Sequence, residues 1–203
     1  MLNIVIFGPP GCGKSTQSAR LTSKYNLVHL STGDVIRKEI KSGSELGIEL
    51  ESIVGKGELV PYNMIIKILE SALVQNKNSN GFIFDGFPRT IDQAIDLDKI
   101  LAKDKQEIST AISLCLHDKK AIERLLNRAK LEGRKDDTEN VIKNRLKVYE
   151  EETYPLISYY HSQGKYLEVK GDCSINDIFY NITNIIEEKM ALAQIDNNIL
   201  NIL

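Results

Sequence analysis

Residues 8–15, Gly-Pro-Pro-Gly-Cys-Gly-Lys-Ser, have the spacing G-x-x-x-x-G-K-S of a phosphate-binding loop. Glycines allow backbone N–H groups to curl around a polyphosphate. A following helix N-terminus adds partial positive charge, and Lys14 adds a full charge. An apolar run, Leu2–Phe7, precedes the loop, and a helical stretch, Ser15–Lys24, follows it, which is the context that the motif requires. The loop predicts a nucleoside triphosphate ligand, but it does not distinguish kinases from switches or motors.

Arginines outside this loop form a second candidate group. Arg89 follows Asp85-Gly86-Phe87-Pro88, a turn that is not typical of a generic surface. Planar guanidinium groups suit phosphate oxygens, and several would be needed if two phosphorylated ligands, which repel each other, met in one cleft. Taken singly, each arginine could equally be a solvated surface residue. The other members of the group are Arg37, Arg124, Arg128, Arg134 and Arg145.

A candidate metal ligand, Asp85, ends the apolar run Phe82-Ile83-Phe84. In proteins with a phosphate-binding loop, an acidic residue at such a strand end holds Mg²⁺, directly or through water. The alternative is an aspartate that caps a tight turn. The histidines are interpreted as structural or surface residues: His29, His117 and His161.

Five short apolar runs separated by helical stretches must position these residues. Alternation of strands and helices predicts an α/β fold with an open parallel sheet flanked by helices. Ligands bind at the carboxyl ends of the strands in such sheets. The predicted strands are Leu2–Phe7, Leu27–Leu30, Gly81–Asp85, Thr110–Leu116 and Lys165–Val169. Four loops should therefore line one edge, beginning near Gly8, Ser31, Asp85 and Gly171.

Two segments depart from this alternation. Asp34–Val60 contains no predicted strand and indicates a helical insertion between the second and third strands. Ala129–Asp137, which contains Gly133 and several charges, predicts an irregular, mobile surface loop between two long helices. The second of these helices should run from about 138 to 162, with a kink at Pro155.

The composition excludes several classes of protein. A length of 203 residues with 42% hydrophobic residues suits one domain, and a net charge of −2 does not favour a nucleic acid partner. No apolar run has membrane-spanning length, and we expect no signal peptide. The cysteines, Cys12, Cys115 and Cys173, are scattered, which indicates neither zinc binding nor disulfides but a reducing cytoplasm. The tail, Ala191–Leu203, could extend the last helix or dock an apolar face.

Together these pieces resemble the adenylate kinase family. The resemblance covers most of the chain in family order, and its Asp-Gly-Phe-Pro-Arg-Thr and Ser-Thr-Gly-Asp pieces are far more specific than the phosphate-binding loop. The matching stretches are residues 8–17, 31–37 (Ser-Thr-Gly-Asp-Val-Ile-Arg), 57–61 (Gly-Glu-Leu-Val-Pro), 85–93 (Asp-Gly-Phe-Pro-Arg-Thr-Ile-Asp-Gln) and 133–137 (Gly-Arg-Lys-Asp-Asp), with Arg145. The resemblance implies the fold of phosphate-binding-loop (P-loop) kinases.

The resemblance also implies the roles of individual residues. The ATP phosphates would be held by Gly11, Cys12, Gly13, Lys14, Ser15 and Thr16. Arg128 would reach ATP from the lid, and Arg124 would face the adenine or the phosphates. Gly171 and Cys173 lie in the loop that would pack on the adenine. AMP would be held by Thr32, Arg37, Glu58, Leu59, Val60, Gly86, Phe87, Pro88, Arg89 and Gln93. Arg134 and Arg145 would bridge towards the transferred phosphate, so the catalytic set is Lys14, Arg89, Arg128, Arg134 and Arg145. Ser15 and Asp85 would serve Mg²⁺.

The same resemblance implies three parts. The core comprises 1–30, 61–126 and 138–203, an AMP-binding insertion comprises 31–60, and a short lid comprises 127–137. Two residues depart from the family pattern: Ser15 stands where glycine is usual, and Cys12 is unusual but small enough to fit. Long-lid members sometimes carry four zinc ligands. No cysteine or histidine lies between Arg128 and Asp137, so no structural zinc is expected.

The function implied is reversible, Mg²⁺-dependent phosphoryl transfer from ATP to AMP, giving two ADP, by a cytoplasmic enzyme that is typically monomeric. No nucleic acid or membrane partner is expected. One alternative is a UMP–CMP kinase, although that branch tends to have alanine in place of Thr32 and asparagine in place of Thr90. Another is a nucleotide-dependent switch without turnover, which would not need Arg89, Arg134, Arg145 or the insertion.

Overall fold

A parallel β-sheet forms the centre of the molecule. The structure is a computed structural model that describes residues 1–134 and 136–200, apart from the side chains of residues 68 and 192–200. The strands pair in the order β2-β3-β1-β4-β5, and every pairing is parallel. They are β1 (Ile4–Phe7), β2 (Val28–Ser31), β3 (Phe82–Asp85), β4 (Thr110–Cys115) and β5 (Tyr166–Lys170). The predicted five-stranded parallel α/β sheet is confirmed, with strand ends displaced by at most two residues.

Helices separate the strands as predicted. The first half of the chain contains α1 (Lys14–Tyr25), α2 (Thr32–Ser42), α3 (Glu45–Lys56), α4 (Tyr62–Gln75) and α5 (Ile91–Lys103). The second half contains α6 (Asp118–Glu132), α7 (Glu139–Val148), α8 (Leu156–Ser162) and α9 (Ile175–Leu200). Four helices are capped by the side chain of the residue that precedes them, which accepts a hydrogen bond from a backbone N–H in the first turn. These residues are Ser31 for α2, Ser44 for α3, Thr90 for α5 and Thr138 for α7.

The three central strands, β3, β1 and β4, are almost entirely buried because helices cover both faces of the sheet. Val5 and Phe7 point into a core shared with α4, α5 and α8. Ile4 and Ile6, one residue out of phase, point into a second core shared with α1 and α9. This period-two alternation fixes the pairing register, since a slip of one residue would exchange the two faces. The sheet is therefore a rigid base for the loops at its edge.

Two boundaries differ from the sequence-based prediction. The irregular segment is shorter than predicted, because α6 continues to Glu132 and ends at Gly133, whose φ is 65°. The predicted helix from 138 to 162 is not a single kinked helix. It is interrupted by a π-helical turn, Tyr149–Thr153, in which the Tyr154 N–H donates to the Tyr149 carbonyl. Pro155 cannot donate an N–H, and the wider turn before it accommodates the break.

The tail extends the last helix, which was one of its two predicted arrangements, since α9 runs to Leu200. Whether this tail docks an apolar face concerns side chains outside the described residues, and residues 201–203 also lie outside them.

Two adjacent tyrosines on α8 should respond oppositely to loss of their hydroxyl groups. The buried Tyr160 hydroxyl has no hydrogen-bond partner among the described residues, whereas the Tyr159 hydroxyl donates to Asp98 at 2.7 Å. Tyr160→Phe should therefore leave the free energy of unfolding unchanged or raise it by ~1 kcal/mol. Tyr159→Phe should lower it by about 1–3 kcal/mol, because the partly buried Asp98 carboxylate loses its partner. Urea unfolding of both variants tests this, and a larger loss for Tyr160→Phe would contradict it.

Candidate active site

The carboxyl ends of the strands meet at one edge of the sheet, where the predicted site residues lie. The loop after β1 begins at Gly8, and Asp85 ends β3 beside Ser31 of β2. Gly171 follows β5, and its N–H donates to the carbonyl of Cys115, the last residue of β4, at 2.7 Å. Parallel pairing places these turns side by side, as the sequence predicted.

The loop between β1 and α1 curls around the ammonium group of Lys14. The Lys14 Nζ donates to the carbonyls of Gly8 at 2.9 Å and Pro9 at 3.0 Å, and it lies 3.5 Å from the Cys12 Sγ. Gly13 takes a left-handed conformation immediately before α1, which directs the first N–H groups of this helix towards the cleft. The arrangement concentrates positive charge and unpaired backbone donors at one point.

A cleft above this loop gathers the basic residues. Its cavity volume is about 520 Å³, within the roughly 300–1,000 Å³ of an ordinary small-ligand site. Asp85 is the one carboxylate among the lining residues of this cleft that the structure describes. The cationic residues that line it are Lys14, Arg37, Arg89, Arg124, Arg128, Arg134 and Arg145. Such an excess of cations in a concave site favours a ligand with several negative charges.

Two of these arginines are held by one buried carboxylate. Arg128 donates to Asp137 through Nε at 2.7 Å and through Nη2 at 2.9 Å, and Arg145 donates to it at 2.8 Å. The Asp137 side chain is fully buried, so this clamp orients both guanidinium groups firmly. Burial lowers the pKa of Arg145, while the neighbouring Asp137 and Asp136 partly restore it.

The remaining arginines have separate partners. Arg124 donates to the carbonyl of Gly171 at 2.9 Å, which joins α6 to the loop after β5. Arg134 donates to Glu132 at 2.8 Å, and Arg37 donates to Asp34. Cys173 lines the cleft through the same loop after β5. The structure thus gathers the predicted donor-side residues, apart from Gly171, as lining of this cleft, and Gly171 is held against it through Arg124.

Asp85 is buried at the floor of the cleft and contacts His29. The His29 Nε2 lies 3.3 Å from the Asp85 Oδ2. Burial alone would raise the pKa of Asp85. The hydrogen bond with His29, the charge of Lys14 and the Ser15 hydroxyl instead hold this pKa below its usual value. The carboxylate is therefore ionised at neutral pH. The contact between His29 and the metal candidate Asp85 was not predicted from the sequence.

A second cavity lies between α2, α3 and the loop after β3. It collects most of the residues assigned to the acceptor nucleotide, namely Thr32, Arg37, Glu58, Leu59, Val60, Gly86, Phe87, Arg89, Gln93 and Arg145. Pro88 lines the space beside it instead, together with Lys14, and Arg134 lies in the main cleft. Gly86 cannot carry a side chain, because its φ is 83° and a Cβ would lie 2.7 Å from the Thr32 hydroxyl.

The polar group that could read a base in this cavity is Gln93. Its side-chain oxygen accepts a hydrogen bond from the backbone N–H of Arg89 at 2.8 Å. The backbone N–H of Gln93 donates to the hydroxyl of Thr90, the residue that precedes α5. The Gln93 amide N–H₂ is therefore the group left to donate towards a ligand.

Arg89 and Arg145 lie between the two spaces, because both side chains line the main cleft and the second cavity. Arg89 donates to the Gly86 carbonyl at 2.9 Å. Burial and, to a lesser extent, the charge of the Arg145 guanidinium together lower the pKa of Arg89 to about 10. Two neighbouring guanidinium groups repel each other, so an anionic ligand between them would be favourable even though Arg145 is already paired with Asp137. A ligand in either space can reach them from its own side.

Several lining residues were not singled out from the sequence. The apolar wall of the second cavity contains Ile36, Val54 and Ile65, whose helical spacing gave no reason to separate them from ordinary core residues. Asp137 was assigned only to the lid motif. Its clamp on Arg128 and Arg145 required knowledge of where α6 and α7 cross.

Two further searches concern metals and membranes. Over residues 1–134 and 136–200, no three His, Cys, Asp or Glu side chains cluster in a way that could hold a metal ion. In the same part of the chain, no helix is both long enough and apolar enough to cross a membrane.

Comparison with known proteins adds independent information. A sequence model of the family described as adenylate kinase matches residues 6–165. An adenylate kinase of Phocaeicola vulgatus is 47% identical over 188 residues, covering 93% of this chain and all of the relative. One from Bacteroides thetaiotaomicron is 46% identical over 188 residues, with the same coverage. One from Flavobacterium psychrophilum is 47% identical over 187 residues, covering 92% of this chain and 98% of the relative.

Proposed function

The chain belongs to the adenylate kinase family of phosphotransferases, and we propose that it transfers the terminal phosphoryl group of ATP to AMP, reversibly and with Mg²⁺, giving two ADP. The observation that carries this proposal is the position of Arg89 and Arg145, which line both the cleft above the phosphate-binding loop and the second cavity. A protein that bound one nucleotide would need cationic groups in one of these spaces only. Two phosphorylated ligands meeting end to end need them between the spaces.

The donor nucleotide would occupy the main cleft. Backbone N–H groups of Gly11–Thr16 and the Lys14 ammonium would hold its phosphates, with Arg124 and the loop at Gly171 and Cys173 beside its base. AMP would occupy the second cavity, with its phosphate towards Arg37, Arg89 and Arg145. The segments 31–60 and 127–137 would be the AMP-binding insertion and the lid of the enzyme.

No general base is required in this reaction. The attacking group is a phosphate monoester oxygen, and a phosphate with a second pKa near ~6 is mostly dianionic at neutral pH. Catalysis is then positioning of the two phosphates in line, with neutralisation of the charge on the transferred group by Arg89, Arg128, Arg134 and Arg145. His29 is engaged with Asp85 rather than with the cleft, which agrees with a structural role for this histidine.

The residues at the floor of the cleft fit a magnesium ion that arrives with the nucleotide. Asp85 offers an ionised carboxylate close to the Ser15 hydroxyl, and Mg²⁺ is usually held by one or two carboxylates together with substrate phosphates and water. When bound, the ion supplies neutralisation of phosphate charge. Asp85 and Ser15 would hold it, directly or through water, and no zinc is part of the proposal.

Water is the competing acceptor, because its attack would waste ATP by hydrolysis. Exclusion of water would require the insertion, 31–60, and the lid, 127–137, to close over the phosphates. Asp137 contributes to this by holding Arg128 and Arg145 in a fixed orientation before any ligand arrives. The proposal includes a monomeric enzyme in the cytoplasm, which light scattering and cell fractionation would test.

We expect ADP formation to require both Mg²⁺ and AMP, with CMP and UMP poorer acceptors by at least about tenfold in kcat/KM. The Gln93 amide donor and the Thr32 hydroxyl in the second cavity suit the adenine edge, and loss of one hydrogen bond to a base costs roughly this factor. A coupled assay with AMP, CMP, UMP and GMP in parallel measures the difference. Comparable rates with CMP or UMP would favour the UMP–CMP kinase alternative. Absence of turnover with every acceptor would favour the switch.

A further inference from the structure

The end of α3 contacts α7, which is distant from it in the sequence. The Asn144 Nδ2 donates to the Lys56 carbonyl at 2.7 Å. Lys56 is the last residue of α3, and the last four carbonyls of a helix have no partner within it. Asn144 therefore supplies, from another element, an N–H that the helix end lacks. Asn144 was not part of any motif in the sequence.

Gly57 makes this contact close. Its φ is 76°, and a Cβ at this position would lie 2.9 Å from the Arg145 Cγ and 2.9 Å from the Val141 carbonyl oxygen. Only glycine can take this backbone conformation without strain and also leave room for Arg145. The chain thus packs backbone against the stem of the arginine that lies between the two cavities.

The contact joins the two ligand spaces mechanically. Residues Glu58–Val60, assigned to AMP, begin immediately after Gly57, and Arg145 immediately follows Asn144. Gly57 and Arg145 also line one small space together with Lys14 and Arg89. A shift of the α3 end would therefore move the backbone of Glu58–Val60 and, at the same time, remove the contact of Gly57 with the Arg145 side chain.

We propose that Asn144 is a positioning residue for the acceptor nucleotide. It acts through the Lys56 carbonyl and the adjacent Gly57 contact, and it fixes the position of Glu58–Val60 relative to Arg145. The inference rests on the proposed function. It concerns AMP rather than ATP, because Glu58–Val60 line the second cavity and not the main cleft, and because Asp137 holds Arg145 independently of this contact. Loss of the Asn144 N–H should raise the KM for AMP and leave the KM for ATP unchanged.

The first test compares Asn144→Asp, which keeps the shape and removes the donor, with Asn140→Asp, an exposed position one turn earlier on α7. Asn144→Asp should raise the KM for AMP about three- to tenfold, as expected for loss of one hydrogen bond. Asn144→Ala should do the same without adding charge, and Asn144→Gln should restore part of the affinity. Asn140→Asp should have no effect.

The second test compares two glycines of the same segment. Gly57→Ala should raise the KM for AMP by more than tenfold, because the added methyl group displaces the α3 end from Arg145. Gly55→Ala, two residues earlier, has open space at its Cβ and should behave as the unmodified chain. Amide hydrogen exchange over residues 53–60, measured without nucleotide, should speed up in Gly57→Ala, Asn144→Asp and Asn144→Ala, and should not change in Gly55→Ala or Asn140→Asp.

The outcomes separate this inference from the proposed function. If the unmodified chain forms no ADP from ATP and AMP, the proposed function fails. If the chain is active but Asn144→Asp and Asn144→Ala keep both the KM for AMP and the exchange rates, the inference alone is overturned. Equal increases in the KM for AMP and for ATP would also overturn it, because they would indicate a general structural effect.

Discussion

Replacement of Lys14 by methionine should lower kcat/KM for ADP formation by about a hundredfold or more while the protein remains folded. Lys14 is the cation at the centre of the phosphate-binding loop, and methionine has a similar length without charge. In the structure its ammonium group donates to the carbonyls of Gly8 and Pro9. These loop carbonyls can turn to water when the ammonium is lost, so the effect on stability should be small.

Activity and stability must be measured together in this variant. Initial rates with ATP and AMP give the loss of activity, and circular dichroism with thermal unfolding reports the fold. Lys119→Met is a suitable control because Lys119 is exposed on α6, and its replacement removes the same charge at a distance from the cleft. A Lys14→Met enzyme within threefold of the unmodified rate would show that the loop does not hold the transferred phosphate in the proposed way.

Arg89→Ala should be nearly as damaging, with the loss concentrated on the acceptor. We expect kcat/KM for AMP to fall on the order of a hundredfold or more, because one preorganised cationic contact to the transferred phosphate is lost. Binding of ATP alone should change much less. Arg89 is strained electrostatically in the free protein, since burial and the charge of Arg145 both lower its pKa. Its removal should therefore leave the thermal unfolding temperature unchanged or higher.

Arg89→Lys provides the matched control for charge. Lysine keeps a positive charge but cannot make two parallel hydrogen bonds to one phosphate, so activity should recover only in part. Calorimetric titration of each variant with AMP and with ATP separates the two sites. A large loss of ATP binding with normal AMP binding would assign Arg89 to the donor side and contradict the proposal.

The sheet was predictable from the sequence because its strands are short, apolar on both faces and separated by helical periods. Ile4–Phe7 and Phe82–Asp85 illustrate this, since every residue in both strands is buried. The gathering of Gly8, Asp85 and Gly171 at one edge followed from parallel topology alone. The start of the irregular segment was misplaced, because the charged residues before Gly133 suit a helix as well as a loop.

The contacts between distant helices could not be predicted. The clamp of Asp137 on Arg128 and Arg145, and the contact of Asn144 with Lys56, depend on how α3, α6 and α7 cross. Crossing positions are set by side-chain packing between elements, which no local pattern records. The π-helical turn at Tyr149–Thr153 was missed for a similar reason, since the sequence Tyr-Glu-Glu-Glu-Thr is compatible with an ordinary α-helix.

The distribution of charge has a consequence for how ligands reach the cleft. Seven of the 26 basic side chains converge on that one concavity, although the whole chain has a formal net charge of −2. The rest of the chain therefore carries an excess of negative charge, in contrast to this cleft. Such a field funnels small polyanions inward and accelerates their capture, most strongly in dilute salt.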